Sequence, residues 1–159
     1  MKTVRLIVAA ILRGLPYILQ LAICQGWEAA LKKIECPCGS AKELADCCGV
    51  WHAGLALGAY APTPEALMRS RYSAYVLGLI DYLMATWHPS TAPGDLELQP
   101  VKWLGLEVRH AATTGDAGVV EFVARCRVNG RAERMHETSR FVREAGRWYY
   151  IDGQFTEPD

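Results

Sequence analysis

Four of the chain's six cysteines fall inside one short stretch, "ECPCGSAKELADCCG", residues 35–49. Cys36 and Cys38 flank a proline, and Cys47 and Cys48 are adjacent. Thiols this close together can cross-link or hold a metal ion. A Cys47–Cys48 disulfide would close a strained small ring, because disulfides want Cα atoms roughly 4.4–6.8 Å apart with suitable Cβ vectors. The crossed pairs Cys36–Cys48 and Cys38–Cys47 stay open on geometry. Clustered thiols in a loop with Gly and Pro between them favour a metal site, the usual role of such thiols in a reducing compartment. The expected localisation is therefore cytoplasmic.

The intervening residues suit a metal knuckle. Pro37 fixes one φ, Gly39 can take φ > 0, and freed amides can hydrogen-bond to thiolates. Residues 41–46 are expected to make about one helical turn that returns Cys47 and Cys48 to the first pair. Four thiolates on Zn²⁺ fill a tetrahedron and leave no position for substrate or water, which argues for a structural or docking site. Iron suits four thiolates too. Metal binding worth about 10–16 kcal/mol would supply most of the folding energy of so small a fragment. Lys32, Lys33 and Lys42 are placed to offset the net negative charge of the cage. His52, four residues after Cys48, is expected as a supporting neighbour of the ligands rather than as a ligand. Cys24 and Cys126 read as bystanders, Cys126 falling on the apolar parity of a strand.

The elements around the knuckle divide by periodicity. The stretch "GVWHAGLALGAYAPTP" is rich in Gly, Ala and Pro and reads as a linker. Such a linker would leave the metal module separable from the C-terminal domain. Thr63-Pro64-Glu65 starts a helix well, with a cap, a proline at the first helical position and an acid at the positive end. Leu67, Met68, Arg71, Tyr72, Tyr75, Val76 and Leu79 recur at three and four, and Gly78 marks the end or a kink. A second short helix is expected through Trp87, stopped by His88-Pro89. After Pro100 the period changes to two. Leu104, Leu106 and Val108 are expected on one side of a strand, and Val120, Phe122, Ala124, Cys126 and Val128 on one side of the next. Asn129-Gly130 is a strong hairpin signal, and Glu144-Ala145-Gly146 a second loop. Helices followed by a bent four-strand antiparallel run mean α+β, with helices on one face.

The first 34 residues stand apart. Lys2 and Arg5 precede an apolar run as in a secretory signal, but Arg13 cuts the run and no small-residue cleavage site follows. As a membrane span the segment would hold Arg13 at a cost of about 2.5–3.5 kcal/mol near the centre, with Gly14 and Pro16 breaking the helix. An atypical apolar helical extension over 1–34 is the expectation.

Bulk composition excludes little else. The chain has 159 residues, is 51% hydrophobic and 21% charged, and carries zero formal net charge. It can bury a core, and its overall charge gives no reason for strong nucleic-acid binding. The arginines 125, 127, 131, 134, 140, 143 and 147 cluster on the hairpins among Glu121, Glu133, Glu137 and Glu144. Cross-strand ion pairing is their ordinary use, and a weak surface for anions such as ribosomal RNA or an acidic protein is the alternative.

The spacing in "CPCGSAKELADCCG" resembles the SEC-C motif at the C-terminus of the SecA translocation ATPase, with Ala41 where that motif usually has a second glycine. The stretches "CCGVWHAG", "ALMRSRYSAYVLGLIDYLMATWHPST", "WLGLEV" and "MHETSRFVREAGRWYYIDG" are similar to the small bacterial YchJ-like SEC-C family. That resemblance implies a SEC-C zinc-binding module and linker over 35–60 and a cone-shaped nuclear transport factor 2-like (cystatin-like) domain over 61–155. It implies Cys36, Cys38, Cys47 and Cys48 as ligands of zinc, with iron as the alternative. Protein partners are implied by analogy with SecA: a SecB-like secretion chaperone or the ribosome, nucleic acid entering only through the ribosome, and weak contact with acidic membrane surfaces. Cone folds often enclose a pocket, for which Tyr72, Asp81, Tyr82, His88 and His136 are the candidates, with Glu137 a further acid–base group. The expected function is a metal-binding adapter, and the competing class is a small-molecule enzyme or ligand carrier using the cone.

Overall fold

The computed structural model describes residues 34–156. The expectations placed on the preceding extension, including Cys24, Lys32 and Lys33, lie outside the described residues. Among those described, no helix is long and apolar enough to cross a membrane.

Helix α1 spans Cys48–Gly54, α2 Pro64–Leu77 and α3 Ile80–Ala85. Short 3₁₀ turns cover Leu44–Asp46 and Leu55–Leu57. Helix α2 starts and stops as its sequence directs. The Thr63 hydroxyl accepts the Ala66 N–H at 3.1 Å, Pro64 opens the first turn, and Gly78 closes it in the left-handed region at φ 72°. Helix α3 ends two residues earlier than Trp87. Trp87 instead forms a bridge to Tyr150, and the Thr86 hydroxyl folds back to donate to the Tyr82 carbonyl at 2.7 Å.

The strands are β1 (Lys102–Thr114), β2 (Ala117–Val128), β3 (Arg131–Glu144) and β4 (Arg147–Phe155). They form an antiparallel sheet in the order β1-β2-β3-β4. Asn129-Gly130 and Ala145-Gly146 make the last two hairpin turns with paired positive φ, the geometry that matches strand twist. Val120, Phe122, Ala124, Phe141 and Trp148 face Leu67, Met68 and Tyr72 of α2 to form the main core. Cys126 is buried on that same parity. Register shifts in β1 and between Arg140 and Phe141 bend the sheet over the helices.

Two expectations are corrected. Leu104 does not join Leu106 and Val108 in the core: a register shift between Trp103 and Gly105 turns it outward, 48% exposed, and puts Trp103 inward instead. Alternation fails there because a bulge adds a residue to one strand. The stretch after Gly49 is also no flexible linker. It forms α1 and the following 3₁₀ turn, and Trp51 packs against both the main core and the Ala74–Tyr82–Leu83 cluster. Alanine is the best helix former, and Trp51 and Leu55 share a helix face, so packing outweighs the glycine content. Residues from Ile34 onward form one compact unit.

Candidate metal centre

The cysteines are carried by a miniature hairpin and a helix start. The Cys36 N–H donates to the Lys42 carbonyl at 2.8 Å and the Leu44 N–H to the Ile34 carbonyl at 2.7 Å, with Glu35 bridged to Glu43. The knuckle between them turns on Gly39 (φ 77°) and Ala41 (φ 56°). A side chain on Gly39 would also press on the Leu106 carbonyl of β1, with its Cβ only 3.3 Å away. The Leu44–Asp46 turn then delivers Cys47 and Cys48 to the start of α1. Gly49 allows this, since a Cβ there would lie 2.5 Å from the Leu44 carbonyl oxygen.

The four sulfurs of Cys36, Cys38, Cys47 and Cys48 all lie within 4.8 Å of one another. Cys38 and Cys47 are 3.6 Å apart at Sγ, and Cys47 and Cys48 4.0 Å. A tetrahedron with metal–sulfur bonds of about 2.3 Å has edges of about 3.8 Å, so the cage fits an ion of that size. Cys36, Cys38 and Cys48 are buried, and Cys47 is half-buried. Without a cation the thiols cannot all ionise together. Hydrogen bonding from Cys48 pulls the Cys38 thiol well below its ordinary value. Sharing that bond pushes Cys48 up, and burial raises Cys47. A divalent cation supplies the charge that lets all four become thiolates.

The knuckle is joined to the rest of the fold by polar contacts. The Arg69 guanidinium donates to the Cys38 carbonyl at 2.9 Å while its Nε holds Glu65 at 2.8 Å. Ser73 Oγ lies 3.6 Å from Cys36 Sγ, and Ser40 Oγ 3.1 Å from Cys47 Sγ. His52 turns away from the sulfurs. Its Nε2 donates to the Ser70 carbonyl at 2.9 Å and its ring meets Tyr82 edge-on at 4.6 Å. Burial lowers its pKa, and the bond to the Ser70 carbonyl offsets part of that shift. Its part is to fasten α1 to α2 and α3. Lys42 is exposed beside the cage.

The pocket candidates do not converge. Tyr72 is buried in the main core, edge-on to Trp103 at 5.4 Å. Tyr82 is buried with its hydroxyl 2.7 Å from Ser70 Oγ. Asp81 is exposed. His88 Nε2 sits 3.1 Å from Glu144, beyond the end of α3. His136 pairs with Glu121 at 2.8 Å on the sheet face opposite the helices. Two shallow depressions flank Trp103. One of ≈ 210 Å³ is bounded by Pro37, Tyr72, Val76 and Leu104, and the other of ≈ 180 Å³ by Tyr75, Leu96, Leu98 and Val101.

The polar groups that do meet inside the fold are Arg71, Glu137 and Tyr150. Arg71 is only 5% exposed, donates to the Leu83 carbonyl at 2.7 Å and Thr86 Oγ1 at 2.8 Å, and lies over the rings of Trp87 and Tyr150. Glu137 Oε1 accepts from Ser139 at 2.6 Å and from Tyr150 at 3.4 Å. Gly153 leaves room for that carboxyl, since a Cβ there would lie 2.0 Å from Oε1. Burial pushes the Glu137 pKa up. The one sequence signal for this cluster was an arginine within an otherwise apolar helical stripe.

Comparison with known proteins agrees with this architecture. Residues 35–49 match the SEC-C motif, and residues 63–153 match the family described as YchJ, middle NTF2-like domain. A UPF0225 protein of Chromobacterium violaceum is 63% identical over 128 residues, which is 76% of this chain and 93% of the relative. A UPF0225 protein of Bordetella pertussis is 57% identical over 121 residues, covering 74% and 90%. The solution structure of a SEC-C motif containing protein from Rhodopseudomonas palustris superposes with a TM-score of 0.66 at 37% identity, over 78% of this chain and 100% of that one. The crystal structure of a SEC-C motif containing protein from Psychrobacter arcticus gives a TM-score of 0.65 at 28% identity, over 81% and 85%. With a SEC-C cysteine cage built onto an NTF2-like α+β domain, this chain belongs to the UPF0225 family of YchJ-like SEC-C proteins.

Proposed function

We propose that the chain is a zinc-stapled docking protein. Cys36, Cys38, Cys47 and Cys48 hold Zn²⁺, and the ion organises the knuckle that Arg69, Ser73 and Gly39 join to the NTF2-like domain. One observation carries this reading: four mostly buried sulfurs within 4.8 Å of one another, a closed set that leaves a bound ion no free coordination position. An ion so enclosed shapes a surface rather than activating a water. The partners that fit by resemblance to SecA are a SecB-like chaperone, the ribosome or an acidic membrane surface, met in the cytoplasm. The test immobilises the metal-loaded chain and offers each of these three in purified form. Capture by the native chain, lost in Cys48→Ser and kept in Asp81→Asn, supports docking through the knuckle. Capture of the chaperone or of the membrane surface that Cys48→Ser leaves unchanged overturns it.

A second reading, a ligand carrier or enzyme using the cone, has Glu137 in its favour, a buried carboxyl bonded to Ser139 and Tyr150 next to a buried arginine. It predicts a small molecule that co-purifies with the chain and is lost in Glu137→Gln. Its retention in that variant would exclude the Glu137 site.

A further inference from the structure

The sheet face turned away from the helices divides into a balanced half and an unbalanced half. In the balanced half, Arg140 and His136 find acids: Arg140 pairs with Asp152, and His136 with Glu121 at 2.8 Å. In the other half, toward the Asn129-Gly130 turn, cations stand directly opposite cations. Arg125 of β2 is in register with Arg134 of β3, and Lys102 of β1 with Arg127 of β2. Ala124 and Cys126, on the alternate parity of β2, are buried, so Arg125 and Arg127 point outward. Among the described residues Lys102, Arg127 and Arg134 make no ion pair, and Arg125 reaches only Glu107 at 3.5 Å, which Arg109 shares at 3.2 Å.

Like charges directly opposite each other destabilise a sheet. Two such pairs in adjacent same-face rows oppose the stability of this fold, and the neighbouring half shows that the same sheet accommodates acids. The arrangement makes sense if an anion lies across it. Opposed side chains stand about 4.5–5.5 Å apart at Cβ, and Arg125 and Arg127 are about 7 Å apart along β2. The result is a two-row band of charge. Three of its four members are arginines, whose planar forks match phosphate oxygens bidentately.

We propose that this band binds the phosphodiester backbone of a nucleic-acid strand. A narrow chain of phosphates can track the cations and leave Glu107 and Glu121 to its side, whereas a flat anionic bilayer would be pressed against those carboxylates as well. No tyrosine, tryptophan or phenylalanine lies at the four positions, so the contact is to backbone and independent of sequence. The inference does not rest on the metal.

The test measures fluorescence anisotropy of a labelled oligouridylate with the full chain over a salt series. The expected binding weakens linearly on a logarithmic salt scale, with a slope of about −2 to −3 for three or four phosphates on a single strand. Arg127→Thr with Arg134→Thr should weaken it by about tenfold or more and flatten the slope by about 1.4. Arg140→Thr should leave it unchanged. The same double variant should melt no lower than the native chain, because removing opposed charges relieves repulsion; this separates lost contact from lost fold. Chelated protein that stays folded should bind as well as the metal-loaded form. Parallel arms use phosphatidylglycerol vesicles and polyglutamate. The proposal is overturned if the oligonucleotide fails to bind, if the double variant binds it normally, or if only vesicles or polyglutamate bind.

Discussion

Replacing Ala41 by glycine should make this protein more stable and bind its metal more tightly. Ala41 sits in the left-handed region at φ 56°, inside the knuckle between Cys38 and Cys47. Holding an L-residue there costs about 1–2 kcal/mol through the clash of Cβ with the following carbonyl. Glycine removes that clash but loses about 0.4–1 kcal/mol to the greater freedom of its unfolded chain. Ala41 is exposed, so its methyl contributes no packing to set against the change. The net gain is about 0.5–1 kcal/mol, a rise in Tm of about 2–5 °C for a domain of this size. If the metal fixes the knuckle, the same gain appears as about two- to fivefold tighter binding, measured by competition with a chromophoric chelator. Ala145→Gly is the control. Ala145 is also left-handed, at φ 48°, but lies in the β3–β4 turn. It should raise Tm similarly and leave metal affinity alone. An Ala41→Gly chain with unchanged or lower Tm would show that Ala41 stores no strain, and equal effects of the two variants on affinity would detach the knuckle's strain from the metal.

Chelation should lower the melting temperature of the whole folded unit in one transition, followed by near-ultraviolet circular dichroism, because Arg69, Ser73 and Gly39 tie the knuckle to α2 and β1; a main transition unmoved by chelation would contradict that coupling. His52→Ala should cost about 1–2 kcal/mol in denaturant midpoint through its lost bond to Ser70, with metal content unchanged. Glu137→Gln should stabilise the protein near neutral pH. Burial raises the folded pKa of Glu137, so the stability its protonated form contributes is present below the ordinary carboxyl range and lost as pH rises through the raised value. The advantage of Gln over Glu should therefore shrink as the pH approaches about 4; urea midpoints of variant and native chain at both pH values check the sign.

How much of this was legible depended on how local the cause was. The cysteine cluster, the Thr63 cap, the Gly78 stop and the Asn129-Gly130 turn are each decided by residues within one or two turns of chain, and spacing finds them. Leu104 was misplaced because the bulge beside it is set by pairing with β2, which alternation along β1 cannot see. The helix after Cys48 was hidden by glycine-rich composition, while the packing of Trp51 and Leu55 that stabilises it comes from residues far away in sequence. The cluster of Arg71, Glu137 and Tyr150 joins a helix to two strands, so no spacing rule could assemble it. The opposed cations needed the strand register: the arginines were countable in the sequence, but their partners were not.

X-ray absorption at the metal edge of the purified native chain tests the four-sulfur zinc site most directly. A zinc-stapled knuckle requires one zinc ion per chain surrounded by four sulfur atoms at about 2.3 Å with no oxygen or nitrogen ligand, unchanged in His52→Ala. A first shell containing a light atom, or a metal-free chain with its four clustered cysteines paired as disulfides, would contradict it.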